Sequence, residues 1–139
     1  MLNRAEIEGR IPHAGEMCLL GSVQRWDATT ILCSAEAPTA AHPLAGAQGV
    51  PAIAAVEYAA QAAAVHGALL DATAAPRAGL LAKLTDVELS TIGPGAADGP
   101  LTIRAELLGR IDTACQYAFE VSNRRACLAR GRLLVAFQP

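Results

Sequence analysis

The chain has no basic excess, no close cysteine pair, few charges and no long apolar run free of polar side chains. Each absence removes a class of function. Eleven Lys and Arg against 13 Asp and Glu leave a formal net charge of -2, so there is no electrostatic footprint for nucleic acid. The late arginines Arg124, Arg125, Arg130 and Arg132 read as a turn and the polar positions of a strand. Cys18, Cys33, Cys115 and Cys127 stand far apart, with no histidine beside them. That spacing fits neither a zinc site nor a redox pair, and the metal expectation is none. Each cysteine has an apolar neighbour, so mostly buried thiols in a reducing compartment are expected. Met1 to Pro12 is polar and mixed in charge, with no apolar run behind basic residues. No secretion signal is expected, and the reading is cytoplasmic. The stretch Val50 to Leu70 is long enough to span a bilayer, but its apolar content is mostly alanine and Glu57, Gln61 and His66 interrupt it. A glutamate at that depth is costly, so a soluble helix and no membrane span are expected.

What is present is a globular composition, 53% apolar and 17% charged. The low charge leaves apolar surface for a partner or ligand. A chain of 139 residues buries roughly 65% of its unfolded surface, enough for one core, so residues 1–139 form one domain. Leu19 to Trp26 reads as a strand, Asp27-Ala28-Thr29 as a turn, and Thr30 to Ala37 as a second strand. Pro38 to Gly49 is a loop. Pro51 suits a helix start, and the alanines, Glu57 and Gln61 carry a helix to about Leu70. Leu80 to Ser90 is a strand with room for a bulge. Leu101 to Leu108 and Ala114 to Ser122 alternate cleanly, and Ala126 to Phe137 is the last strand. Strands joined by short turns are expected as antiparallel neighbours. An α+β domain follows: an antiparallel sheet of five or six strands wrapped around one long central helix. The runner-up is an open sandwich with a wetter helix.

The polar residues inside the apolar helix are the candidates for chemistry. Glu57 and Gln61 are four apart and share a face. A carboxylate with only Gln61 for polar company is partly desolvated, the setting of a general acid or base; the plainer reading is that Glu57 marks the solvent side. His66 is nine positions beyond Glu57, about 900° around the helix, so it points the opposite way. It is expected at the surface or the helix end. His13, before the first strand, and His42, in the loop leading to the helix, are both candidates, and pattern alone does not choose between them. At the helix start the N–H groups of Ala52 and Ile53 offer an anion site suited to a thioester oxygen gaining charge.

These residues also carry a resemblance. Ile11-Pro12-His13 followed by Met17-Cys18-Leu19-Leu20 resembles the opening of bacterial 3-hydroxyacyl-[acyl-carrier-protein] dehydratases. Pro51-Ala52-Ile53-Ala54-Ala55-Val56-Glu57-Tyr58-Ala59-Ala60-Gln61 is similar to that family's helix. The closer likeness is to the predicted dehydratases of aryl polyene biosynthesis clusters, whose paired motifs map onto Pro12 to Leu20 and Val56 to Gln61. Gly131 to Pro139 resembles the family's last strand, so the likeness covers nearly the whole chain.

The resemblance implies a hot-dog fold and a dimer with two helices side by side over a continuous sheet. It implies interface sites in which a histidine of one subunit meets a carboxylate of the other. His13 becomes the catalytic base and Glu57 its acidic partner; Gln61 falls on the family's glutamine. Ala52 stands where the family has its oxyanion glycine, Ala14 where housekeeping members often carry arginine, and Gly21 where they end a strand with aspartate. These departures point away from the housekeeping role in fatty acid synthesis. The implied reaction dehydrates a 3-hydroxyacyl thioester to the trans-2-enoyl thioester, with no cofactor beyond the phosphopantetheine of the acyl carrier protein that brings the substrate. The implied partners are that carrier and a second copy or a related hot-dog subunit. Two alternatives stand beside it: an acyl thioesterase using Glu57 to activate water, and a non-catalytic subunit of a heterodimeric dehydratase.

Overall fold

The computed structural model describes residues 1–11, 15, 18–71 and 79–137. Six strands make one sheet: β1 (Ser22–Trp26), β2 (Thr30–Ala35), β3 (Gly79–Leu89), β4 (Leu101–Ile111), β5 (Ala114–Ser122) and β6 (Cys127–Phe137). Their order is β1-β2-β4-β5-β6-β3, and every neighbouring pair is antiparallel. The two edges are therefore β1 and β3. One long helix, α2 (Ala54–Asp71), packs on β2, β4, β5 and β6. This is the hot-dog arrangement.

Alternation along the strands decides which face meets the helix. Ile31, Cys33 and Ala35 of β2, Leu101, Ile103 and Ala105 of β4, and Cys115, Tyr117, Phe119 and Val121 of β5 are all buried. They line up across the ladders, as in Cys33–Ile103–Val121–Ala129. The outer face of the same strands carries Arg104, Glu120, Arg130 and Glu88 in one cross-strand row of alternating sign, an arrangement that favours this register. On the helix side Ala55, Ala59, Ala62 and Ala63 have almost no exposure. Their methyl side chains let the sheet approach closely. Twelve of the 18 residues of α2 are buried, which removes the wetter-helix alternative.

The boundaries differ from the sequence reading in small ways. β1 begins at Ser22 rather than Leu19, and β4 runs on to Ile111. A short helix, α1 (Arg4–Glu8), was not anticipated, although Asn3 and Glu6 form a capping box that signals it. The bulge expected in β3 occurs as two register shifts, one between Leu81 and Lys83 and one between Thr85 and Glu88. Asp86 there takes φ 53°. Three cysteines are buried and Cys127 is exposed, all of them free. Among the described residues no helix is long and apolar enough to cross a membrane.

His66 is a correction. It was expected at the surface or helix end, yet it is fully buried. Its Nδ1 lies 2.7 Å from the Tyr117 hydroxyl and its Nε2 2.8 Å from the Asp27 carbonyl. The carbonyl only accepts, so Nε2 carries the proton and Nδ1 accepts from Tyr117. Trp26 and Tyr117 meet the ring edge-on. The helix geometry was right that His66 points away from Glu57; on an embraced helix, that direction is the sheet.

Burial lowers the pKa of His66, and burial lowers that of His42 in the same direction. A folded pKa below the unfolded value of about 6.5 means the unfolded chain binds protons first as pH falls. Stability is therefore full above about pH 6.5 and declines below it. Truncating His66 to alanine strands the buried Tyr117 hydroxyl, removes the donor to the part-buried Asp27 carbonyl and opens a void, so a loss of about 2–4 kcal/mol is expected in denaturant titrations. The acid-side decline should also be shallower in that variant. A loss under about 1 kcal/mol would contradict the structural role assigned to the ring.

Candidate active site

Glu57 is half-buried and opens onto a cavity of about 250 Å³ between α2 and the β3–β6 edge of the sheet. On the helix side this cavity is lined by Glu57, Ala60, Gln61, Ala64, Gly67, Ala68 and Asp71, the stripe that recurs every turn. Leu80, Leu81, Val135 and Phe137 form the opposite wall, and Arg10 also lines the cavity. The solvent-side reading of Glu57 thus becomes a cavity-side position. A carboxylate at the mouth of an apolar slot has the right surroundings for proton transfer.

Gln61 is buried, and its Oε1 accepts from the Leu19 N–H at 2.8 Å. It ties the helix to the segment that follows His13. Arg4 adds to this by donating from Nη2 to the carbonyls of Gly15 and Cys18. His13 itself, with Pro12 and Ala14, lies outside the described residues.

The helix begins at Ala54 rather than Pro51. A tight turn precedes it, in which the N–H groups of Ala54, Ala55 and Val56 reach back three residues to Pro51, Ala52 and Ile53. Among the described residues, no acceptor is assigned to the N–H groups of Ala52 and Ile53. Ala52 is nearly buried, whereas Ile53 is about half exposed. Gly93 lies against this turn: a methyl group there would fall 2.0 Å from the Val50 carbonyl oxygen and 3.1 Å from the Ala52 nitrogen. Only a glycine keeps the loop clear of the helix start.

His42 faces a second cavity, of about 470 Å³, together with Arg4, Cys18, Glu36, Thr39 and Tyr58. Its Nδ1 accepts from the Leu44 N–H at 3.0 Å, which leaves the proton on Nε2, 3.0 Å from the Tyr58 hydroxyl. Burial pushes the Tyr58 phenol up to about 12. The pairing of His42 with Tyr58, 16 positions apart, was not foreseen, because no local period links a loop residue to a helix position. Tyr58 and Glu57 are adjacent in sequence but face different cavities. Within one chain, His42 and Glu57 do not share a cavity.

The ApeP-like model, described as ApeP dehydratase, matches residues 5–139. Among solved structures, the dehydratase heterocomplex ApeI:P from Xenorhabdus doucetiae superposes with a TM-score of 0.82 at 22% identity, over 96% of this chain and 91% of that one. A thioesterase from Staphylococcus aureus gives 0.63 at 16% identity, over 85% and 93%. A hypothetical thioesterase with coenzyme A from Streptococcus pneumoniae gives 0.63 at 11%, over 84% of each. At these identities the structural likenesses show the fold. No curated protein sequence matches the chain.

Proposed function

The chain belongs to the ApeP-like dehydratase family, and from that premise we propose that it dehydrates 3-hydroxyacyl thioesters on acyl carrier protein to trans-2-enoyl thioesters. The observation that carries this reading is Glu57 one turn from Gln61 on the wall of a mostly apolar cavity, in a family named for dehydration. In the proposed step a histidine removes the α-proton while the N–H groups of Ala52 and Ile53 hold the thioester oxygen. The electron pair forms the new double bond, the β-carbon–oxygen bond breaks, and Glu57 protonates the departing hydroxyl to water. No net oxidation occurs, so the step calls for no redox cofactor.

His13 is the first candidate for the histidine. His42 is the second, because it is a cavity-lining histidine bonded to the neighbour of Glu57 on the helix. Either reading needs two chains if, like His42, the base faces another cavity than Glu57. The sheet supports that assembly. β3 is an 11-residue edge strand, with Leu80 69% and Leu89 43% exposed. The unpaired N–H and C=O groups of an edge strand are a template for pairing, and Lys83, Asp86, Glu88 and the two bulges of β3 confine its apolar stretch to Gly79–Leu81. A second copy or a related hot-dog subunit added along β3 would lie against Gly79, Leu80 and Leu81, which already wall the Glu57 cavity. The dehydratase heterocomplex named above is a precedent for an unequal pair.

The test is an assay with 3-hydroxyacyl thioesters of several chain types, alone and with carrier protein. The expected result is enoyl-thioester absorbance. Release of free acid and thiol would instead make the protein a thioesterase. If turnover appears only in a stable complex with a second hot-dog chain, and survives Glu57→Gln, the chain is its non-catalytic subunit.

A further inference from the structure

The cavity beside Glu57 has a shape that the dehydration step does not require. Its helix wall advances one turn at a time through Glu57, Ala60, Ala64, Gly67 and Asp71. From Glu57 to Gly67 is ten residues, about 15 Å along the axis. Asp71, the last helix residue of the stripe, is ion-paired to Arg110 of β4. Along this wall the alanines already project methyl groups, and Gly67 alone does not. A methyl group placed at Gly67 would meet nothing within 4 Å. Gly79, on the opposite wall, is different: a methyl group there would fall 2.9 Å from Val135 Cγ1. Of the two glycines on this cavity, Gly67 is therefore the one with open space in front of it.

We propose that Gly67 sets the depth of the acyl slot and thereby the longest chain this protein accepts. The proposal rests on the thioester reading above and specifies its substrate class: acyl chains that reach past Ala64 toward Asp71. The occupant is an acyl chain because the wall that runs on from the candidate acid Glu57 is made of Ala60, Ala64, Gly67, Leu80, Leu81, Val135 and Phe137, an apolar lining continuous with the proposed reacting end.

The test is Gly67→Leu, assayed on a ladder of 3-hydroxyacyl pantetheine thioesters from short to long. Leucine is the better helix former and its Cβ meets no atom within 4 Å, and thermal unfolding checks that the variant is folded before its length profile is read. The expected result is a rate within about 3-fold of wild type on short chains and a fall of about 10-fold or more on long ones, the scale of misfit in an apolar pocket. Equal loss at every length, or none, overturns the proposal. So does a changed oligomeric state in sedimentation with an unchanged length profile, which would make the slot part of an interface. If wild type turns over none of these thioesters, the dehydration reading fails separately. Calorimetric binding of the same ladder to both proteins then decides the depth question: loss of affinity confined to long chains supports it, and a uniform profile sinks it.

Discussion

Glu57→Gln lowers dehydration by about 10²-fold or more while leaving the fold intact, the scale of a lost general acid or base. Glutamine keeps the shape and hydrogen-bonding reach of glutamate but holds no transferable proton. Position 57 is half-buried at a cavity mouth rather than packed in the core, so the swap strands no buried charge and removes no apolar contact. Thermal unfolding of the variant should match wild type within a few degrees, and the deficit should fall on kcat rather than on binding of the thioester. Activity within a few-fold of wild type would assign Glu57 to the rim of the cavity without a chemical role.

Subunit complementation tests the histidine. His13→Ala and Glu57→Gln homodimers should each be nearly inactive, and mixing them with subunit exchange should restore turnover. In a mixed dimer one site regains both residues and the other loses both. Random exchange makes mixed dimers half the population, so recovery should approach about a quarter of wild type per subunit in a symmetric dimer. The same mixture with His42→Ala in place of His13→Ala separates the two candidates. Recovery with His42→Ala and full activity in the His13→Ala homodimer would assign the proton to the ring that Tyr58 holds. Absence of recovery in both mixtures, with exchange verified by mass spectrometry, would place histidine and carboxylate within one chain.

Much of the fold was legible because half-buried strands record their burial in a period of two. The apolar faces of β4 and β5 follow from their alternation, and all of their residues but the partly buried Leu107 are buried. The bulges of β3 were foreshadowed by its broken alternation. The capping box at Asn3 is equally local, but the five helical residues it opens carry little periodic signal. Of the site, Glu57 and Gln61 were legible as polar residues four apart in an alanine helix, and the cavity contains both. His66 was not, because periodicity gives a direction around a helix but not what stands in that direction.

The sequence by itself determined the six strands, the one long helix, the inward faces of β4 and β5 and the sharing of one helix face by Glu57 and Gln61, because these follow from short-range spacing and from the cost of burying charge. Only the tertiary structure decided that β3 pairs with β6 at the far edge, since two strands with similar patterns satisfy either neighbour until the whole sheet closes over the helix. It also decided that His66 is clasped by Tyr117 and Asp27. Above all, it set Glu57 and His42 on separate cavities. Those relations join residues tens of positions apart, and nothing local in the chain encodes a distance that exists only after the sheet has wrapped.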